Sequence, residues 1–313
     1  MTTQPTSSPV SGTPAAAAAS RPPRRVGVLV HPTRDVGEPL RLLREWTAKH
    51  GIELVQIAAP YPQPSVAEEG VARDTDLIVS IGGDGTTLAA LRAGVAASRP
   101  VLGIGCGSLG ALANVTTPDL PRSLDRFVRG EWRPRLFPAL GVERSDGEPV
   151  FALNDVALVR ESGSQVRLSA YVDGTLFARI AGDGAVVSTP IGTSGYAISA
   201  GGPLLLTGID AYVLTPLPKH GGFAPPLVIG ADCELELDGA ASFGGVRLEV
   251  DGQVAGSGAG AVTVSFRPAM ATQVTFDDHE PLLSGLRRRR ILVDSPRFLA
   301  EDARRGLSRP PGT

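Results

Sequence analysis

The stretch DLIVSIGGDGTTLAALRAGVAA, residues 76–97, decides the fold. Its first six residues form an apolar run of strand length without the alternation of a half-exposed strand, so DLIVSI (76–81) is expected to be a strand buried on both faces. Gly82-Gly83-Asp84-Gly85 then breaks the run, and a helix is expected from about Thr87 to Ala97. A strand that passes through a Gly-rich turn into a helix marks the sheet edge at which open α/β proteins bind ligands. The glycines let the backbone approach a phosphate, and the helix N-terminus, with Thr86 beside it, offers N–H donors. Asp84 fits poorly in a loop that only binds phosphate, because its charge repels the ligand unless a cation or proton donor stands between them. Read as a plain turn, the tetrapeptide carries no chemistry.

Outward from this segment the same texture continues. Upstream, VGVLV (26–30), a helix presenting Leu40, Leu43, Trp46 and Thr47 on one face, and IELVQI (52–57) form a β-α-β start. Downstream, PVLGI (100–104) is another strand and residues 119–130 another helix. This order predicts parallel strands with crossover helices, a Rossmann-like α/β domain over 26–140. Beyond residue 140 the pattern turns to strands: 151–160, 165–172, 175–181 after an Asp173-Gly174 hairpin turn, 211–217, 226–230, 233–238, 246–252, 261–266 and 272–277. These make a mainly β domain over 141–277. Residues 1–25, rich in Thr, Ser, Pro and Ala, are expected to be a disordered tail. Residues 278–313 are expected to pack back on the first domain.

The composition excludes several classes. Thirty Lys and Arg against 32 Asp and Glu give a formal charge of −2, which supplies no field to gather nucleic acid or anionic lipid. The run Arg287–Arg290 reads as a solvated face. Cys106 and Cys233 form no paired motif and fit a reducing, cytoplasmic setting. His31, His50, His220 and His279 lack metal-ligand spacing, so no protein metal site is assigned and any cation should be held by oxygen. No stretch has the roughly 18–20 apolar residues that span a bilayer.

A second segment dense in hydroxyls and glycines runs from Gly182-Asp183-Gly184 through Ser188-Thr189-Pro190-Ile191-Gly192-Thr193-Ser194-Gly195-Tyr196. It reads as a ligand-binding loop, or else as a hydroxyl-rich turn. Together with Gly82–Gly85, Asn154-Asp155 and Asp251-Gly252-Gln253, in this order, it resembles the NAD kinase family signature over most of residues 76–253. The resemblance implies an α/β domain and a β-rich domain with the active site between them. It implies Asp84 as the catalytic aspartate acting on the ribose 2′-hydroxyl. Gly82, Gly83, Gly85, Thr86, Asn154, Asp155, Asp183, Thr193, Ser194, Tyr196 and Asp251 are then expected around the nucleotides. ATP as phosphoryl donor, a magnesium ion bridging its phosphates, a nucleotide acceptor and a homo-oligomer (dimer or tetramer) complete the expectation. Phosphoryl transfer asks mainly for positioning and charge neutralisation, so an ordinary aspartate suffices.

Several positions depart from the family pattern. Gly105 stands where Asn is usual, Ala111 for Phe, Asp155 for Glu, Ile191 for Thr and Gly195 for Ala, and the stretch 218–223 keeps only its His. They are expected on the ligand wall, where they would bear on the choice of acceptor: NAD, or another alcohol of a nucleoside, nucleotide or polyol. Two readings of other classes are a non-catalytic nucleotide-binding regulator and an NAD-dependent oxidoreductase. The second rests on Gly105-Cys106-Gly107-Ser108-Leu109-Gly110, a G-x-G-x-x-G directly after a strand. It needs a helix there and an acidic strand end about 20 residues on, whereas Asp125 lies in a helical pattern.

Overall fold

The computed structural model describes residues 23–107, 110–144, 147–161, 163, 165–241, 245–258, 260–277 and 282–305. Most of the expected N-terminal tail, His279, and Ser108 with Leu109 lie outside them. Strands β1 (Arg25–Val30), β2 (Glu53–Ile57), β3 (Glu68–Gly70), β4 (Leu77–Gly82), β5 (Val101–Gly105) and β6 (Val115–Thr116) pair in parallel, in the order β3-β2-β1-β4-β5-β6. Helices α1 (Gly37–His50) and α3 (Leu120–Val128) cover one face. There Leu77, Val79 and Ile81 meet Leu40, Leu43, Trp46, Leu120 and Leu124. On the other face Ile78 meets Ala89, Ala90 and Leu91 of α2 (Asp84–Ala97). β4 is therefore buried on both sides, as its apolar run requires. Its one inward hydroxyl, Ser80 Oγ, is satisfied by Thr87 Oγ1 of α2 at 2.9 Å.

Helix α2 begins three residues before the sequence suggested. Gly83 is its N-cap, and Asp84, Gly85 and Thr86 form the first turn. An acidic residue is favourable there because the free N–H groups carry partial positive charge. The Gly-rich segment is thus divided between the end of β4, the cap and the first turn of α2.

The later strands are β7 (Arg133–Arg144), β8 (Gly147–Ala152), β9 (Asp155–Arg160), β10 (Val166–Val172), β11 (Thr175–Gly182), β12 (Gly184–Ser188), β13 (Ala211–Pro216), β14 (Leu227–Gly230), β15 (Leu235–Ala241), β16 (Val246–Val250), β17 (Gln253–Ser257) and β18 (Gly260–Thr275). Six of them form an antiparallel sheet in the order β14-β13-β12-β9-β16-β17. The others extend the parallel sheet into a mixed twelve-stranded one, because β18 pairs with β15 and β7 and then, through Gln273, with Val101 of β5. The segments 261–266 and 272–277, expected as two strands around Pro268, belong to one kinked strand. Its register shifts between Arg267 and Ala271, so the residue that cannot donate sits in a bulge. Leu140, Val156, Leu158, Leu168, Leu237 and Val264 fill the space between the two sheets. The hairpin turn at Asp173-Gly174 has both residues at positive φ, 48° and 72°, as a two-residue turn of right-handed twist needs.

Candidate active site

Asp84 is tethered from two sides. Its Oδ1 accepts the backbone N–H groups of Leu112 (2.9 Å) and Ala113 (3.1 Å), and its Oδ2 that of Ala111 (3.0 Å). Oδ2 also receives Nη1 of Arg289 at 3.0 Å, from just beyond α5, where α4 is Tyr196–Ser199 and α5 is Leu282–Arg288. The loop comes this close because residue 110 is glycine: a Cβ there would lie 1.8 Å from Asp84 Oδ1. Arg135 adds a second positive charge near Asp84. Burial weakens its hold on its own proton while Asp84 strengthens it. Of the loop glycines, Gly82 is demanded by packing, since a Cβ would meet Thr86 Oγ1 at 2.3 Å, whereas Gly85 faces open space. Arg34 overhangs the loop: a Cβ on Gly83 would stand 3.4 Å from its Nη1. That guanidinium also reaches Cys106 O, beside a cavity of about 450 Å³ lined by Arg34, Asp35, Glu38, Cys106, Gly107 and Thr117.

Asn154 lies in the tight connection from β8 to β9, and Asp155 is the first residue of β9. Asp251 holds this connection together. Its carboxylate, with the side chain only 2% exposed, accepts the backbone N–H groups of Leu153 (3.1 Å), Asn154 (2.7 Å) and Asp155 (3.2 Å) and the guanidinium of Arg92. Arg92 lies on α2 and also donates to Phe151 O at 2.9 Å. The helix that begins with Asp84 is thereby tied to the turn that carries Asn154 and Asp155. Asp251 tolerates its positive φ of 49° as the first residue of a two-residue Asp-Gly turn.

The Asp155 carboxyl is pushed up from 3.8 to about 7, first by burial and then by the charges of Asp251 and Glu249. The same face carries Tyr196, whose hydroxyl pKa is raised by the partial loss of water around it and by the charges of Glu249, Asp155 and Asp183. Arg247 pairs with Glu249 and Arg160 with Asp183, the latter at 2.9 Å. Arg92, Arg247, Glu249, Arg34 and Arg289 were not singled out from the sequence. Only Arg247 and Glu249 left a signal, as the polar alternates of VRLEV.

Three hydroxyls of the loop from Ser188 to Tyr196 are spent on backbone carbonyls. Thr189 Oγ1 donates to Leu153 O at 2.6 Å, Thr193 Oγ1 to Pro190 O at 2.6 Å, and Ser194 Oγ to Ile191 O at 3.0 Å. Thr193 is fully buried and also accepts from Leu205 N, while Tyr196 is exposed. Ile191 packs with Leu91, Leu112, Phe137 and Leu153, so its methyls face the core and not the expected ligand wall. The oxidoreductase reading loses its geometric basis. After β5 the described residues 110–114 form no helix, and Asp125 lies inside α3, bonded to Trp46 Nε1.

A Gly-rich helix start on a parallel sheet is thus tied, through Arg92 and Asp251, to an Asn-Asp turn on an antiparallel one, the frame of a two-sheet α/β and β protein. Residues 45–132 match the ATP-NAD kinase N-terminal domain and residues 153–265 the ATP-NAD kinase C-terminal domain. An NAD kinase of Acidobacterium capsulatum is 34% identical over 252 residues, 74% of this chain and 85% of the relative. Among solved structures, an NAD kinase from Archaeoglobus fulgidus in complex with ATP has a TM-score of 0.64 and 26% identity, over 81% of this chain and 94% of that one. Yeast NADH kinase complexed with NADH has a TM-score of 0.73 at 20% identity, over 88% and 89% of the two chains, a likeness of fold. The chain belongs to the NAD kinase family.

Proposed function

We infer that the chain transfers the γ-phosphoryl group of ATP to the 2′-hydroxyl of the adenosine ribose of NAD, yielding NADP. The observation that carries the mechanism is the fixed Asp84 carboxylate at the head of α2. In this reading the 2′-oxygen forms a bond to the γ-phosphorus. The bond from that phosphorus to the β,γ-bridging oxygen breaks, its electron pair leaves with ADP, and the hydroxyl proton passes to Asp84. Asn154 and Asp155 face the acceptor from the second sheet, Tyr196 and Asp183 border it, and Asp251 acts through the turn it holds. Gly82, Gly83, Gly85 and Thr86 shape the donor side, and Thr193 and Ser194 shape the loop between them. Among the described residues no cluster of three or more His, Cys, Asp or Glu could cage a metal. Magnesium would come with the donor phosphates and keep its waters, supplying charge neutralisation. The test incubates the chain with ATP, magnesium and NAD and reads NADP with an NADP-specific dehydrogenase. Absence of NADP would overturn the reading.

Cytoplasmic localisation and a homo-oligomeric state belong to the same proposal. The free Cys106 and Cys233 thiols support the first, and light scattering tests the second. No described helix is long and apolar enough to cross a membrane.

Two expectations follow from the site geometry. Gly110→Ala, whose methyl would displace the Asp84 carboxylate, should lower kcat/KM by about 10–100-fold, read by steady-state kinetics. An unchanged rate would mean that the placement of Asp84 is immaterial. The other concerns Asp155. Its folded pKa of about 7 lies above the ordinary 3.8, so between these values the folded chain holds a proton that the unfolded chain has lost. Stability from this group is full below about pH 4 and falls as pH rises through about 7. Asp155→Asn should therefore be more stable than the parent at pH 8, by up to ~4 kcal/mol, and no different near pH 4, by urea unfolding. Equal stabilities at both pH values would contradict the raised pKa.

A further inference from the structure

Arg289 belongs to a run that the sequence offers as a solvated face, yet its guanidinium is among the best-placed cations of the site. A carboxylate has about four acceptor positions. On Asp84 all four are filled: three by the backbone N–H groups of residues 111–113 and the fourth by Arg289 Nη1. The three backbone donors cannot leave without unmaking the loop. A ribose hydroxyl that approaches Asp84 therefore competes for Oδ2 with Arg289, the one donor there that is a side chain and can swing away. Arg289 is itself partly spent. Its Nε donates to Gly285 O at 3.2 Å, but Nη2 is buried and has no partner. A buried guanidinium nitrogen without an acceptor is costly, and the fork geometry of arginine suits two oxygens of a phosphate. Arg135, the other cation near Asp84, is held by Ala111 O at 3.2 Å and by the Phe137 ring at 4.8 Å.

We propose that Arg289 is a donor-phosphate ligand parked on Asp84, which hands the carboxylate to the acceptor hydroxyl and turns its own fork to the phosphoryl oxygens when nucleotides bind. The exchange also answers why an aspartate stands in a phosphate loop: a mobile cation lies between the two anions. The proposal rests on the kinase reading above, and on Asp84 as the group that meets the acceptor.

The experiment compares the parent with Arg289→Gln and Arg289→Lys. ATP or tripolyphosphate, each with magnesium, is titrated by calorimetry in the absence of acceptor. KM is then determined separately for ATP and for NAD, and thermal unfolding is recorded. Arg289→Gln should weaken both polyphosphate probes about 10–100-fold, one charge-assisted contact, and raise KM for ATP with little change in KM for NAD. Arg289→Lys, which keeps the charge, should recover part of the loss. Unchanged polyphosphate binding, or a parent that binds neither probe, overturns the proposal. A gain in kcat/KM would show an inhibitory latch instead, and equal losses for both substrates with a lowered Tm a structural strut. Because the calorimetric arm involves no turnover, it gives its answer even if the acceptor is an alcohol other than NAD.

Discussion

Replacing Asp84 by asparagine is expected to lower kcat by about 10²–10⁴-fold, the usual range for loss of a positioned proton acceptor. The structure adds a second consequence. Asparagine offers one acceptor oxygen and one NH₂ group in place of two anionic oxygens. In either orientation that NH₂ group points at a donor: the N–H of Ala111 and Arg289 on one side, or those of Leu112 and Ala113 on the other. The variant should thus also lose ~1–3 kcal/mol of stability, the cost of buried groups left without partners. Steady-state assays and urea unfolding on the same preparation separate the two effects. A variant that is as active as the parent would remove Asp84 from the chemistry. One that is inactive and equally stable would mean that the four-donor arrangement does not hold the carboxylate in solution.

The largest loss of stability is expected at Asp251. Substitution by alanine leaves three successive backbone N–H groups and the Arg92 guanidinium without their shared acceptor, in a place that is 98% shielded from water by the measure of the Asp251 side chain. Breaking a buried pair by removing one partner commonly costs about 3–5 kcal/mol. The positive φ of 49° adds to this, since alanine tolerates it less well than aspartate. Asp251→Asn keeps the turn residue and one acceptor and should lose less. Chemical denaturation of the parent, both variants, Arg92→Leu and the double variant Asp251→Ala/Arg92→Leu gives the coupling between Asp251 and Arg92 as a double-mutant cycle. Strict additivity of the two losses would contradict the tie between α2 and the Asn154-Asp155 turn. Activity should fall with stability here, because this tie anchors the helix that begins with Asp84 to the turn that carries Asn154 and Asp155.

The two carboxylates illustrate how far residue type and order carry an argument. Asp84 and Asp251 both lie in Gly-flanked motifs, and from the sequence both are expected beside the ligand. The first half of that distinction is local: an aspartate after a buried strand and at the start of a helix is confined to the sheet edge, whatever the rest of the chain does. Asp251 is different. Its surroundings come from α2 and from the connection before β9, about 160 and 100 residues away in the chain, so no window around Asp-Gly-Gln could reveal that its carboxylate is spent on backbone N–H groups and Arg92. Ile191 repeats the lesson in apolar terms. Placed in a hydroxyl-rich run it reads as part of a ligand wall, and the core cluster around Leu91 and Phe137 accounts for it instead.

What the sequence determined by itself is what depends on neighbours in the chain. The buried strand and helix of residues 76–97, the parallel β-α-β start, the strand-rich second half, the Asp173-Gly174 turn and the four ordered motifs all follow from periodicity, glycine placement and residue order. Tertiary structure alone decided which charges meet. The single strand β18 that joins both halves of the fold depends on pairing with β7, β15 and β5, which overrides the break suggested by Pro268. The meeting of Arg289 with Asp84 spans 205 residues. Hydrogen bonds and ion pairs act over a few ångströms in space and are indifferent to separation along the chain, so a basic run near the C-terminus looks like solvated surface until the fold brings it to the head of α2.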